Sequence, residues 1–125
     1  MKTTDTTAFG MSDFYKTVGG DMNDVLDRLE DIDMVKENLL DFSEDVSYSE
    51  LLQCLGDNDI KGAFRAAHTL KGICYTFGIG RLGDDASAVC EELRHGVPPS
   101  REMTERLAEE YRRTLEALGR LKDGR

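Results

Sequence analysis

The stretch Ala66-Ala67-His68-Thr69-Leu70-Lys71-Gly72 lies inside a helix-patterned run from about Asp59 to Phe77. Ile60, Ala63, Phe64, Ala67, Leu70, Cys74 and Phe77 recur at three- and four-residue steps, which writes one apolar stripe along an α-helix. Each residue turns a helix by about 100°, so Ala63, Leu70 and Cys74 mark the centre of that stripe. His68 falls on its border, beside Phe64, Lys71 and Tyr75, and is expected to reach solvent.

The neighbours of His68 give it a chemical setting. Lys71 and Gly72 follow at the spacings that place side chains next to one another on a helix surface, so one supplies a cation and the other removes a side chain. From Asp59 to Gly78 the run carries Lys61, Arg65 and Lys71 against Asp59 alone, a local +2 in a chain of net charge −9. Something anionic is expected there. A glycine in mid-helix costs about 0.5–1 kcal/mol relative to alanine, so Gly72 is better explained by the close approach of another body than by helix stability. The pattern suits a phosphoryl group carried on the ring.

At these residues the sequence resembles the histidine-containing phosphotransfer (HPt) domains of multistep phosphorelays. Their signature reads His-x-Leu-Lys-Gly, two small residues, then an apolar-Gly pair. His68-Thr69-Leu70-Lys71-Gly72 fits the core of the signature, and Phe77-Gly78 supplies the pair. Ile73 departs from it at a usually small position, while Cys74 satisfies the second. The resemblance extends from about Val35 to Leu118, through Phe42 and Leu51-Leu52 upstream and Leu82, Cys90 and Leu93 downstream.

Composition bounds the remaining readings. The 125 residues are 39% hydrophobic and 33% charged, which is enough for one domain with its own core. No apolar run approaches the roughly 20 residues that span a bilayer, and the start Met1-Lys2-Thr3-Thr4-Asp5 lacks the apolar core of a signal peptide. A cytoplasmic protein is the expectation. The 25 Asp and Glu against 16 Lys and Arg argue against nucleic acid and anionic membrane surfaces. Cys54, Cys74 and Cys90 are odd in number, widely spaced and on apolar stripes, so free thiols serving as small hydrophobes are expected, with no metal site.

Along the chain, residues 1–10 read as a flexible lead and 11–122 as the domain. Ser12 is expected to cap a short helix carrying Met11, Phe14, Tyr15 and Val18 and ended by Gly19-Gly20. Asp21 caps the next, with Met22, Val25, Leu26 and Leu29 on one face. Ile32, Val35, Leu39 and Phe42 form a further stripe, and Ser47-x-x-Glu50 reads as a capping box opening a segment through Leu51, Leu52 and Leu55. Residues 32–56 are either one bent helix or two. Gly56-Asp57-Asn58-Asp59 separates them from the His68 helix. Gly78-Ile79-Gly80 breaks the pattern, after which a stripe of Ile79, Leu82, Ala86, Val89, Cys90 and Leu93 runs to His95-Gly96, where His95 reads as structural. Pro98-Pro99-Ser100 opens a last helix through Met103, Leu107, Tyr111, Leu115 and Leu118. The fold expected is all-α: an antiparallel four-helix bundle capped by short N-terminal helices.

The functional expectation is a phosphocarrier. His68 is the acceptor, Lys71 stabilises the phosphoryl group, Gly72 gives access, and Lys61, Phe64, Arg65 and Tyr75 dock the partner. The resemblance implies Nε2 as the phosphorylated atom. It also implies receiver domains or a hybrid sensor histidine kinase as partners, and Mg²⁺ held by the receiver. The chain itself is expected to bind no cofactor and to act as a monomer. Among the neighbouring helix's residues, Ser87 and Cys90 are those to inspect for a polar contact with His68, and Asp84-Asp85 reads as a solvated acidic face. No glycine-rich nucleotide loop or kinase block occurs, so phosphorylation from ATP is not expected. The rival reading is a helical adaptor that docks on a receiver or another signalling protein without transferring phosphate. An enzyme with its own small-molecule pocket is a weaker third.

Overall fold

A computed structural model describes residues 8–124. The described residues form seven α-helices: α1 (Met11–Val18), α2 (Met22–Leu29), α3 (Ile32–Asp41), α4 (Ser47–Gly56), α5 (Ile60–Phe77), α6 (Gly80–Arg94) and α7 (Arg101–Asp123). A 3₁₀ turn, Phe42–Glu44, follows α3, and no strand occurs among the described residues. The alternative left open over residues 32–56 resolves to two helices. The last turn of α3 tightens into the 3₁₀ turn, which ends where Asp45 becomes extended.

Where the caps lie follows from which side chain reaches the free N–H groups. Asp21, Asp31, Asp59 and Ser100 each accept from the first turns of α2, α3, α5 and α7. Two expected caps are displaced by a residue or two. Ser12 lies inside α1, which starts after Gly10, and Asp13 instead takes the Gly10 N–H at 2.9 Å. Ser47 is the buried first residue of α4, and Asp45 accepts its N–H at 2.9 Å. In neither case does the N-cap residue itself, Gly10 or Val46, offer a side-chain cap; the carboxylates take N–H groups at the helix entry instead.

The apolar stripes converge on one core. Ile79, Leu82, Ala86, Val89, Cys90 and Leu93 are all buried, as are Ala63, Ala67, Leu70 and Cys74 of α5. α5 packs against α4 on one side and α6 on the other, α6 packs on α7, and Tyr48 of α4 stacks on Tyr111 of α7 with centroids 4.0 Å apart. The chain is therefore a helical bundle. Ile32, by contrast, is exposed at the start of its stripe. The last helix buries more than its stripe implied, since Glu110 is covered while paired with Arg81 (3.4 Å) and Arg113 (3.2 Å).

The N-terminal helices are bolted to the bundle rather than laid loosely over it. α1 packs on α7 and buries Phe14, Tyr15 and Val18, and the Tyr15 hydroxyl donates to the Phe77 carbonyl at 2.7 Å. Arg81 reaches the Thr17 carbonyl. Backbones meet at the glycines: a Cβ on Gly20 would collide with the Gly78 carbonyl, and one on Gly80 with the Gly19 carbonyl. Gly19 and Gly78 also hold positive φ. Of the expected flexible lead, residues 1–7 lie outside the described residues. Phe9 is buried under the Arg120 guanidinium, 4.2 Å from its ring, so the ordered chain begins before Met11.

Gly20→Ala is expected to destabilise the fold by about 2 kcal/mol, because the obstruction is backbone that cannot swing away. A lowered urea midpoint at unchanged slope is the check.

Candidate functional site

α5 is pinned on both flanks, and this decides which of its residues remain outside. Gly62, Ala63, Ala66 and Ala67 are buried, and a Cβ on Gly62 would come within 2.8 Å of Cys54 Sγ on α4. What is left to solvent includes Lys61, Arg65, His68, Thr69 and Gly72. His68 is exposed, its ring 5.8 Å from that of half-buried Phe64 and tilted 40° to it. Among the described residues no hydrogen bond or ion pair engages either ring nitrogen. Nothing lies within 4 Å of a Cβ built on Gly72. The ring thus stands beside open space, with one aromatic wall.

The charges agree with that opening. Lys61, Arg65 and Lys71 form no ion pair among the described residues, whereas Arg28, Arg81, Arg94, Arg101, Arg112 and Arg113 each hold a carboxylate. Asp59, the one acid of the run, is occupied in accepting the Gly62 N–H at 2.9 Å. Beside Phe64 lies a groove of about 450 Å³, walled by Ile60, Phe64 and Leu93 and edged by Lys61, Arg65 and Arg94. No group of acids, histidines or cysteines among the described residues is arranged to hold a metal, and no described helix is long and apolar enough to cross a membrane.

A family model for the Hpt domain matches residues 21–120. The chain belongs to the Hpt domain family. No match appears among curated proteins or among solved structures. Membership implies phosphotransfer in phosphorelay signalling by a phosphocarrier, in company with receiver domains and kinases. Helix α1 lies before the matched span and packs on α7 within it.

The remaining candidates fall into place around His68. Lys71 is half-buried and near enough to Cys90 for its charge to be felt at the thiol, although burial still pushes that thiol up. Cys90 itself is buried, and Ser87 faces Tyr75, so neither is seen to contact the imidazole. Of the Asp84-Asp85 pair read as a solvated face, Asp84 is exposed and Asp85 is partly covered. Asp84 accepts the Tyr75 hydroxyl at 2.8 Å, and Asp85 is half-buried, its carboxyl raised by burial and by nearby Glu110. Sequence reasoning gave no role to Gly83, where a Cβ would come within 2.8 Å of the Tyr75 ring. Its one trace in the sequence is a glycine on the inward face of α6, which by itself does not name Tyr75 as the neighbour.

His95 is the C-cap of α6, with Nε2 3.0 Å from Glu91. Cys54, Cys74 and Cys90 are all free thiols. Cys54 is only half-buried, while burial pushes Cys74 up to about 12.

Because the space over Gly72 is empty, Gly72→Ala is expected to stabilise the fold by about 0.5–1 kcal/mol, the helix-propensity gain. A raised urea midpoint checks this, and a fall would show that the site is not open.

Proposed function

We propose that this Hpt domain is a phosphocarrier that takes a phosphoryl group on His68 from the phospho-aspartate of one receiver domain and passes it to another. The observation that carries the reading is an exposed imidazole with neither ring nitrogen engaged by the described residues, beside unfilled space at Gly72. A neutral imidazole keeps one nitrogen lone pair free to attack. Its attack on phosphorus forms a P–N bond as the P–O bond to the aspartyl carboxylate breaks, and the carboxylate leaves with the electron pair. The proton on the other ring nitrogen stays in place. Resemblance to the family assigns the attack to Nε2.

Lys71 supplies positive charge to the phosphoryl oxygens, and Gly72 leaves room for the incoming receiver. Lys61, Phe64, Arg65 and Tyr75 form the docking surface, with the groove beside Phe64 taking an apolar segment and the two cations its acidic flank. Phosphoryl transfer depends on positioning and charge neutralisation, and the Mg²⁺ that assists it belongs to the receiver. The chain binds no cofactor of its own in this reading. It works as a cytoplasmic monomer between receiver domains and a hybrid sensor histidine kinase.

The test is transfer from a panel of receiver domains phosphorylated with acetyl phosphate, in the presence of Mg²⁺. Acid-labile label is expected on the native chain and none on His68→Gln. Receiver binding without label would replace the carrier by a docking adaptor. Lys71→Ala is expected to slow labelling by about five-fold, the size of one ion pair at a half-exposed position, and to weaken its dependence on salt.

A further inference from the structure

Tyr75 follows His68 by two helical turns and lies within about 20° of the same face of α5. It is 44% exposed, so part of its ring is open to a partner. It is nevertheless held at three points. Arg28 donates to its backbone carbonyl (3.2 Å), Asp84 accepts its hydroxyl (2.8 Å), and the ring rests on α6 over Gly83. A Cβ on Gly83 would stand 2.8 Å from Cε1 and 2.9 Å from Cδ1, so only glycine lets the ring lie there. A glycine in mid-helix weakens the helix relative to alanine, and an exposed hydrogen bond adds little stability. Stability is therefore a poor reason for the arrangement. A large aromatic fixed in one rotamer on a partner-facing surface, however, has its ordering cost settled before contact.

We infer that Gly83 and Asp84 are positioning residues that hold Tyr75 as a preset aromatic contact for the receiver, so that this latch sets how tightly a phosphorylated receiver docks beside His68. The inference rests on the phosphocarrier reading above. Burial and the Asp84 carboxylate both raise the Tyr75 hydroxyl above its ordinary value, which keeps it a proton donor.

The experiment uses a receiver domain that charges the native chain, phosphorylated with acetyl phosphate, and phosphoramidate as a donor that needs no docking. Tyr75→Phe, Asp84→Ala and Gly83→Ala are each expected to raise the KM for the receiver by about five-fold, the ordering cost of one immobilised side chain, at unchanged kcat. Labelling by phosphoramidate should not change. Asp84→Asn keeps an acceptor oxygen and is expected to stay close to the native KM. Combining Tyr75→Phe with Asp84→Ala should add nothing beyond either alone. An unchanged KM in Tyr75→Phe and Asp84→Ala, or equal losses with both donors, would overturn the inference and reduce the latch to a structural contact. If no receiver labels even the native chain, the phosphocarrier reading falls and takes this inference with it.

Discussion

Neither flank of α5 has room for another methyl group, and most of the site follows from that. At Gly62 the obstruction is the capping carboxylate of Asp59 together with Cys54 Sγ of α4, and on the α6 side it is Tyr75 and the Cys74 Cβ (3.1 Å) at Gly83. Such close approach is possible because the buried face of α5 is built from Gly62, Ala63, Ala66 and Ala67, with Leu70 and Cys74 filling what remains. Helices that pack this closely leave only a narrow strip of the middle one exposed. His68 and Gly72 occupy that strip, so the ring's access to a partner is a result of core packing on either side. The same economy closes the far end, where Gly19 and Gly20 meet Gly78 and Gly80 and fix the α5–α6 turn against α1.

Electrostatics reinforces the strip. Between Asp21 and Asp59, carboxylates outnumber cations thirteen to two, and the rest of the chain is slightly positive. Lys61, Arg65 and Lys71 therefore stand at the border of an acidic region without being neutralised by it, since Asp59 is committed to its cap and the arginines of α6 and α7 engage the acids near them. Exposed charges act over about 8 Å at physiological salt. An anionic partner is repelled over much of the surface and attracted at this strip, which favours one docking orientation.

Most of the helical order was legible because apolar residues recur with the helix period: the α6 stripe matches its buried face nearly throughout, whereas the α5 stripe holds Ala63, Ala67, Leu70 and Cys74 but leaves out the small buried residues Gly62 and Ala66. Failures occurred where the deciding contact is not periodic. α1 and α4 start at Met11 and Ser47, with Gly10 and Val46 as N-caps, so Ser12 and Ser47 lie inside the helices, an offset that spacing rules alone do not reveal. Phe9 is held by Arg120 and α7, more than 100 residues away in sequence. That His68 and Gly72 stay exposed together could be read because both lie on one helix. The Tyr75–Asp84 bond and its dependence on Gly83 join two helices, so no pattern within either one encodes them.

Little holds His68, the acceptor in the proposed function: among the described residues no hydrogen bond or ion pair engages its ring nitrogens. A carrier must release what it accepts, and a pocket that enclosed the phosphoryl group with several buried donors would stabilise the loaded state and slow its discharge. An exposed ring, one lysine three residues on along the helix and no enclosing wall at Gly72 keep that stabilisation small in the proposed carrier. Rigidity is placed in the surroundings instead, in the packed flanks of α5 and the glycine junction beneath it. In the proposed carrier role, such an arrangement adds little stabilisation to a loaded ring, which favours discharge as well as loading.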